Sequence, residues 1–253
     1  MSVLFLALGA GALTGLALGA LGGGGSVLAV PALIYLLGFT PAAATTAGLV
    51  VVTVTSATAL GAHAREGTVR WRAGLLFAAA GLVPAAIGGA VSRDLPSAVL
   101  TGAFALLAAL AAVRMLRPSA AETHGVPARA SRVAGAGAGL GAVTGVLGVG
   151  GGFLAVPALV NVVGLRMRAA VGTSLLVITL NSATALAARA GSALSVDWSA
   201  VGPFAAAAVL GAWDGKRLAG RLSAGSLQRI FAYALLAVAA FMLADAVLQR
   251  TAT

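Results

Sequence analysis

Leu21 to Leu33 reads LGGGGSVLAVPAL, and a close copy, GVGGGFLAVPAL, runs from Gly148 to Leu159. With a constant offset of 126 residues, the hexapeptide LAVPAL of the first stretch falls on the hexapeptide of the second without a mismatch. The same offset aligns Thr53–Leu60 with Thr179–Leu186 at six of eight positions. The chain therefore contains a duplicated unit. A glycine run followed closely by proline, inside apolar sequence, is typical of a helix interrupted at membrane depth.

The composition around these runs is that of a membrane protein. Hydrophobic residues make up 60% of the chain and charged residues 9%, with a mean hydropathy of +1.04. Apolar runs of about 20 residues, long enough to cross a hydrocarbon core, recur from end to end. No cysteine is present and there are two histidines, so no disulfide, metal site or cofactor is expected. The net charge of +10 forms no basic block with interleaved aromatics, so nucleic-acid binding is not expected either.

The apolar segments divide the chain into two repeats joined by a polar linker. We predict a first transmembrane repeat over residues 1–116, a cytoplasmic linker over 117–132 and a second transmembrane repeat over 133–253. The segments of the first repeat are roughly Ser2–Ala20, Ser26–Leu37, Ala42–Ala62, Gly74–Ser92 and Ser97–Leu116. Those of the second are roughly Val133–Val149, Phe153–Gly164, Ala169–Ala188, Ser199–Trp213 and Leu227–Leu248. The second segment of each repeat is too short to span the bilayer as helix alone.

The first two segments of each repeat, with the glycine run between them, form a unit that we call the interrupted unit. The basic residues favour one topology for the two interrupted units. If each unit is a hairpin that enters and leaves on one side, thirteen of the 16 basic residues lie on one face. If each unit crosses once, the two faces receive eight each. The positive-inside rule prefers the hairpin, with both termini extracytoplasmic. An odd number of crossings per repeat then makes the repeats inverted, as in many secondary transporters.

The fold class predicted from these patterns is an all-α polytopic membrane protein. It has two inverted repeats of five apolar segments, and the first two segments of each repeat form a broken or re-entrant hairpin. Charge counting does not distinguish a full hairpin from a re-entrant one, so the total is eight to ten membrane segments. The first segment lacks a preceding positive charge, and we read it as retained in the mature chain rather than as a signal peptide.

The glycine runs are the first candidate for a substrate site. Backbone in hydrocarbon must be buried in protein or line a wet cavity, and glycine lets a ligand approach the backbone closely. Free N–H groups at the following helix starts would suit an anion. Close helix packing is the alternative, and we prefer it for the many scattered glycines. The residues assigned to the site are Gly23, Gly24, Gly25, Ser26, Gly150, Gly151 and Gly152.

The third and eighth segments carry the polar side chains at membrane depth. Asn181 stands out because a buried amide needs partners, although joining helices would satisfy it equally. Hydroxyls in such helices often bond only their own backbone. The predicted side-chain ligands are Thr46, Thr55, Ser56, Thr173, Ser174 and Asn181.

Acidic residues are absent from the interior of every predicted span. This disfavours a cation carrier and a carboxylate proton relay. If transport is linked to protons, we then expect the proton to cross the membrane bound to a weak-acid substrate. His63, Arg65 and Arg189 sit at span ends, where they are either an anion funnel or plain interfacial anchors.

At these motifs the sequence resembles the sulfite exporter TauE/SafE family, also described as the 4-toluene sulfonate uptake permease family. The resemblance covers essentially the whole chain and is carried by the glycine runs with VPAL at Gly22–Leu33 and Gly150–Leu159, and by GTSLLVI at Gly172–Ile178. It implies a carrier of sulfur-containing oxyanions such as sulfite, thiosulfate, sulfoacetate or organosulfonates in the plasma membrane, with seven to nine spans.

We therefore expect a secondary transporter that moves a small sulfur-containing anion by alternating access. A passive anion channel with the same site is the first alternative. An intramembrane enzyme is the second, but the sequence offers no cysteine, histidine pair or buried carboxylate for catalysis. The expected partners are the anionic substrate and the lipid bilayer. The anion, the direction, the coupling ion and the oligomeric state, a homodimer included, stay open.

Overall fold

The computed structural model describes residues 2–22, 26–91, 97–116, 129–147, 152–189 and 197–251, and within these ranges the chain is all-helical. The helices of the first half are α1 (Ser2–Leu21), α2 (Ser26–Pro31), α3 (Pro41–Arg65), α4 (Trp71–Val91) and α5 (Ser97–Leu116). Those of the second half are α6 (Ala130–Leu147), α7 (Gly152–Asn161), α8 (Met167–Arg189), α9 (Trp198–Arg221) and α10 (Ala224–Thr251). The duplicated sequence thus gives two similar series of helices.

The short helices α2 and α7 follow the glycine runs and end in the same way. Proline lies inside each helix, at Pro31 and Pro157. Because Pro31 has no N–H to donate, the regular ladder is interrupted there, and the chain continues as a π-helical turn over Ala32–Leu36. Gly38 and Gly164, which correspond at the offset of 126, then adopt positive φ angles of 70° and 78° and stop the helices.

The first interrupted unit folds back on itself. Ala7 and Ala10, early in α1, share a buried cluster with Leu33 after α2 and with Ala44 at the start of α3. Leu18, late in α1, instead packs with Ala59 near the end of α3. The chain has therefore returned to the level of the first turns of α1 before α3 begins, as the predicted hairpin requires.

The main helix contacts join one half of the chain to the other. Helix α1 packs along α9, and α4 packs along α6. Helix α3 packs against α8, and α5 packs against α10. The sequence correspondence pairs α1 with α6 and α4 with α9, so the first two contacts are equivalent to each other when the halves are exchanged.

Glycines bring the backbones of these equivalent pairs together. A Cβ added at Gly15 would overlap the carbonyl oxygen of Ala208, and one added at Gly141 would overlap that of Gly81. The same holds one turn earlier in each glycine helix, where the overlaps are with the carbonyl oxygens of Phe204 and Phe77. Small residues at this spacing are how membrane helices achieve close contact. The scattered glycines at these positions are thus packing residues, as predicted from the sequence.

Helix α9 extends eight residues beyond the predicted end of its apolar segment at Trp213. Gly215 and Ala219 are buried along this extension. A Cβ at Gly215 would overlap the carbonyl oxygen of Leu16 in α1. Continued packing on α1 therefore carries α9 past the charged residues that end the apolar run.

The helices suit a membrane by length and by surface. Among the described residues, three helices are long and apolar enough to span a bilayer, over Leu4–Leu21, Thr46–Arg65 and Met167–Ala187. Shorter apolar stretches lie in α4, α5 and α10. Large apolar side chains are exposed on most helices, as in Phe5, Val83, Leu106 and Leu210. These findings describe a multi-pass membrane protein.

Candidate functional site

A hydroxyl pair joins the two halves where α3 crosses α8. The Thr179 hydroxyl donates to Ser56 Oγ at 2.9 Å, across 123 residues of sequence. It also approaches the carbonyl oxygen of Leu175 at 2.7 Å, within its own helix. Ser56 is fully buried, so the pair lies inside the protein. A polar contact of this kind in apolar surroundings fixes the register of the two helices.

Three buried polar atoms close to this pair have no hydrogen-bond partner among the described residues. They are Thr55 Oγ1, Asn181 Oδ1 and Ser182 Oγ. Each belongs to a residue within three positions of Ser56 or Thr179 in sequence. An unpaired buried polar atom costs roughly 1–3 kcal/mol, so such atoms cluster where a ligand or a second conformation uses them. The crossing of α3 and α8 is therefore our candidate substrate site.

The structure brings only some of the predicted side-chain ligands to this crossing. Thr55, Ser56 and Asn181 lie there, together with Thr179 and Ser182. Thr46 is buried ten residues earlier on α3, about 15 Å along the helix axis. Thr179 and Ser182 were not among the predicted ligands, although the offset of 126 identifies them as the counterparts of Thr53 and Ser56.

Thr173 and Ser174, near the start of α8, have structural contacts instead. Thr173 Oγ1 accepts a hydrogen bond from the backbone N–H of Arg70 at 3.0 Å. The Ser174 hydroxyl donates to the carbonyl oxygen of Val171 at 2.8 Å. Both side chains are fully buried. Thr173 thereby ties the loop after α3 to the first turns of α8.

The glycine runs are described only at their edges. Gly23, Gly24, Gly25, Gly150 and Gly151 lie outside the described residues, while Ser26 and Gly152 are the first residues of α2 and α7. Gly22 lies so close to Ser174 and Val171 that an added Cβ would touch both. Ser174 is the eighth residue of α8, about 10 Å along the helix. The first run therefore begins beside the N-terminal half of α8.

A cavity of about 770 Å³ opens at this same end of the molecule. It lies between the last turns of α3 and α9 and the first turns of α8, and Ala20 of α1 closes one side. Its lining includes Val171, whose backbone an added Cβ on Gly22 would meet. The cavity thus reaches the edge of the first glycine run.

The ionisable groups of the cavity lining are mostly basic. Five basic residues stand against one acidic residue, Glu66, which gives a formal net charge of +4. The basic residues are Arg65, Arg168, Lys216, Arg217 and Arg221. Such a lining attracts small anions and repels cations. Among the residues that the structure describes, no group of three or more histidine, cysteine or acidic side chains forms a metal site.

Comparisons with known proteins agree with these features. The family model described as "Sulfite exporter TauE/SafE" matches residues 7–242. Two proteins named "Probable membrane transporter protein", from Xylella fastidiosa strains 9a5c and Temecula1 / ATCC 700964, are each 37% identical over 248 residues. Each alignment covers 95% of this chain and 95% of the relative. No solved structure matches the chain.

Proposed function

The chain belongs to the sulfite exporter TauE/SafE family, and from this premise we propose that it is a secondary transporter of a small sulfur-containing oxyanion. Sulfite, thiosulfate, sulfoacetate and organosulfonates are the substrate class, and transport proceeds across the plasma membrane by alternating access. The observation that carries the proposal is the crossing of α3 and α8. There, polar atoms without partners lie beside the Ser56–Thr179 hydrogen bond inside an apolar bundle.

The ligands of the substrate in this proposal are neutral donors. Thr55 offers a hydroxyl hydrogen and Asn181 its amide hydrogens, while Ser56, whose hydroxyl donates to the Thr53 carbonyl oxygen at 3.3 Å, would turn its hydrogen to the substrate. The glycine runs Gly23–Gly25 and Gly150–Gly152 with Ser26 offer backbone N–H groups. Thr46, Thr173 and Ser174 line the two ends of the path. Neutral donors bind an oxyanion tightly enough to hold it and loosely enough to release it. A buried arginine pair would hold it longer.

Helix contacts that correspond to each other when the two halves are exchanged support the inverted-repeat part of the proposal. The glycine-faced pairs α1–α9 and α4–α6 correspond to each other, while α3–α8 and α5–α10 each correspond to themselves. A two-fold pseudosymmetry axis in the membrane plane would pass through the self-equivalent contacts. The hydroxyl crossing would then lie at the interface between the repeats, where such transporters bind their substrate.

In the alternating-access cycle, the glycine-faced pairs move as rigid units and the α3–α8 contact opens and closes. The direct backbone contact of α1 with α9, where an added Cβ would overlap a carbonyl oxygen, supports treating this pair as one unit. The contact of α3 with α8, which includes the Thr179–Ser56 hydrogen bond, gives way more easily in this proposal. Opening it on one side and then on the other would expose the site alternately.

The basic cavity marks the cytoplasmic side in this proposal. The positive-inside rule assigns the end carrying Arg65, Arg168 and Arg221 to the cytoplasm, and both termini to the outside. Because native cysteine is absent, single cysteines can be labelled with a membrane-impermeant maleimide in intact cells. A cysteine at Arg217 is expected to stay unlabelled and one at Ser2 to react. The reverse pattern contradicts the orientation.

The test of transport is counterflow in reconstituted vesicles with a panel of labelled sulfite, thiosulfate, sulfoacetate and an organosulfonate. We expect at least one member to show counterflow, and Thr55→Val and Asn181→Ala to reduce it about tenfold or more. Thr184→Val is the matched control, since the Thr184 hydroxyl is exposed and donates to its own helix. Conductance without counterflow would indicate a passive channel instead. Equal loss in all three variants would remove the crossing as the site.

Cysteine labelling tests the glycine runs separately. Single cysteines at Gly24 and Gly151 are expected to react with a small maleimide and to be protected by the transported anion. A pair of cysteines that react at the same rate with and without every anion in the panel would exclude the glycine runs from the site.

A further inference from the structure

The hydroxyl contact of α3 with α8 has a counterpart in the other half of the chain that is not made. At the offset of 126 residues, Thr179 corresponds to Thr53, and Ser182 corresponds to Ser56. We call Thr179 with Ser56 the bonded pair, and Thr53 with Ser182 the unbonded pair. Ser56 accepts from Thr179 at 2.9 Å, whereas Ser182 Oγ is buried and has no hydrogen-bond partner in the described part of the chain.

The run of the two helices places the unbonded pair one turn from the bonded pair. Helix α3 ends at the basic cavity and α8 begins there, so the two helices pass each other in opposite directions. Thr53 precedes Ser56 by three residues on α3, and Ser182 follows Thr179 by three residues on α8. Three residues are close to one helical turn, or about 4.5 Å along the axis. The unbonded pair therefore lies on the side of the crossing that is farther from the cavity.

The local surroundings of the four hydroxyls are alike, and only the bonds of the serines differ. Thr53 Oγ1 and Thr179 Oγ1 each lie 2.7 Å from the carbonyl oxygen four residues earlier. Ser56 and Ser182 are both buried, at 0% and 1% exposure. Ser56 also donates to the carbonyl oxygen of Thr53 at 3.3 Å, and Ser182 makes no equivalent bond. An unpaired buried hydroxyl is costly, so one that has a paired twin in the other half indicates a second conformation that uses it.

The burial of small residues on the two helices shows the same asymmetry. Ala59 lies one turn beyond the bonded pair toward the cavity and is 1% exposed. Its counterpart at the offset, Ala185, lies one turn beyond the unbonded pair toward the opposite face and is only partly buried. Thr58, which lines the cavity, is partly buried, whereas its counterpart Thr184 is exposed. The contact of α3 with α8 is therefore tighter on the cavity side than on the other side.

The other two unpaired polar atoms lie between the two pairs. Thr55 and Asn181 correspond to each other at the offset, and in sequence each falls between the threonine and the serine of its own helix. On α3 the cavity lining begins at Thr58, two residues beyond Ser56. The bonded pair thus separates the cavity from Thr55 and Asn181, and the unbonded pair lies on their far side.

We propose that Thr53 and Ser182 are positioning residues that form the second of two alternative bonds. In the described state, the bonded pair closes the α3–α8 contact on the cavity side. In the other state this bond opens, Thr53 donates to Ser182, and the contact closes on the opposite side. This inference rests on the proposed function, because it assigns the alternating exposure of that site to named residues. One threonine–serine bond is made in each state, so these hydroxyls favour neither state strongly.

Two reporter cysteines measure which side of the contact is open. Because native cysteine is absent, Ala59→Cys reports on the cavity side and Ala185→Cys reports on the opposite side. Each reporter is made in the full-length protein in detergent, and its rate of reaction with N-ethylmaleimide is measured without any transported anion. A substitution that shifts a two-state equilibrium moves the two rates in opposite directions, whereas one that only loosens the fold raises both.

Substitutions in the two pairs are expected to shift the equilibrium in opposite directions. Ser182→Ala removes a hydroxyl that is bonded only in the other state, so we expect the Ala59→Cys reporter to react about fivefold more slowly, with no loss of rate at Ala185→Cys. Thr53→Val should act in the same direction. Thr179→Val removes the present bond, so the Ala59→Cys reporter should react about fivefold faster and the Ala185→Cys reporter more slowly.

Thr58→Val and Thr184→Val are the matched controls, because both hydroxyls donate to carbonyl oxygens of their own helices. Each control is measured at the reporter on the other helix, so that the new methyl group is not next to the labelled cysteine. The rates should stay within about twofold of those of the reporter protein without a further substitution. A control that moves its reporter as far as Ser182→Ala or Thr179→Val does would overturn the assignment to the two pairs.

The outcomes separate this inference from the transport proposal. Equal rates in all variants overturn the two alternative bonds, and so does a shift of both reporters in the same direction by Thr179→Val. If counterflow occurs and depends on Thr55 and Asn181 while either of these results is found, the alternation is wrong and the transport proposal stands. If the reporters respond as expected but no sulfur oxyanion shows counterflow, the transport proposal fails and the two alternative bonds stand.

Discussion

The protein uses two kinds of helix contact between its halves, and they differ in what fills the interface. Along α1–α9 and α4–α6 the backbones touch through glycine, with no side chain between them. Along α3–α8 the contact is made by hydroxyls, and buried polar atoms nearby lack partners. Lipid gives helices no hydrophobic reason to associate, so both contacts depend on local fit. The first kind suits a fixed scaffold, and the second suits a surface that exchanges its partners.

The largest expected effect comes from filling the glycine contact. Gly15→Ala and Gly141→Ala each place a methyl group into a backbone carbonyl of the partner helix, and each is expected to lower stability by about 3 kcal/mol. Thermal unfolding in detergent measures the loss. Gly9→Ala and Gly139→Ala lie on the same helices with no atom within 4 Å of the new methyl group, and should unfold at or slightly above the wild-type temperature. If all four variants behave alike, the glycine faces are not what holds these pairs.

A smaller effect of mixed sign is expected at the hydroxyl contact. Thr179→Val removes the bond to Ser56 and should destabilise the protein by about 1 kcal/mol. Thr55→Val removes a buried atom that has no partner and is expected to leave stability unchanged or to raise it by up to about 1 kcal/mol. Chemical unfolding of both variants, side by side with wild type, gives the two signs. Equal destabilisation by the two substitutions would mean that Thr55 is already satisfied in the resting protein.

The smallest effect concerns the start of α9, at the far end of a glycine-faced pair. The side chain and backbone N–H of Ser199 donate to Asp197 Oδ1 at 2.6 Å and 3.0 Å, and these bonds lower the pKa of Asp197. A lowered pKa in the folded state means that the stabilisation is present above the ordinary aspartate pKa and is lost as the pH falls through the folded value. Melting temperatures taken across this acidic range should therefore decline slightly in wild type. Asp197→Asn still caps the helix but does not titrate, so this part of the decline should disappear.

The sequence predicts much of the fold because membrane helices are long and apolar. The start of every helix lies within three residues of its predicted apolar segment, and the hairpin reading from charge counting agrees with the return of the chain beside α1. The end of α9 was predicted eight residues early, since Asp214, Lys216 and Arg217 end the apolar run without ending the helix. Hydropathy marks where a span ends, whereas the helix ends where its packing on α1 ends.

The candidate site was predictable in kind but not in position. Polar residues on the third and eighth segments identify the right helices, yet nothing in the sequence says where two helices cross. Thr46 was therefore predicted as a ligand together with Asn181, although it lies about 15 Å along α3 from the Ser56–Thr179 bond. The cavity was less visible still, because its lining comes from four helices that lie far apart in the sequence.

The partnership of α1 with α9 has a consequence for how the protein is made. The glycine face of α1 has no partner until α9 begins at Trp198, 177 residues after α1 ends at Leu21. At a translation rate of about 5–20 residues per second, roughly 10–35 s pass between the synthesis of α1 and the synthesis of α9. During this time the glycine face of α1 is not covered by its partner helix. An insertase or chaperone that shelters small-residue faces during that interval would decide how much of the newly made chain survives to assemble.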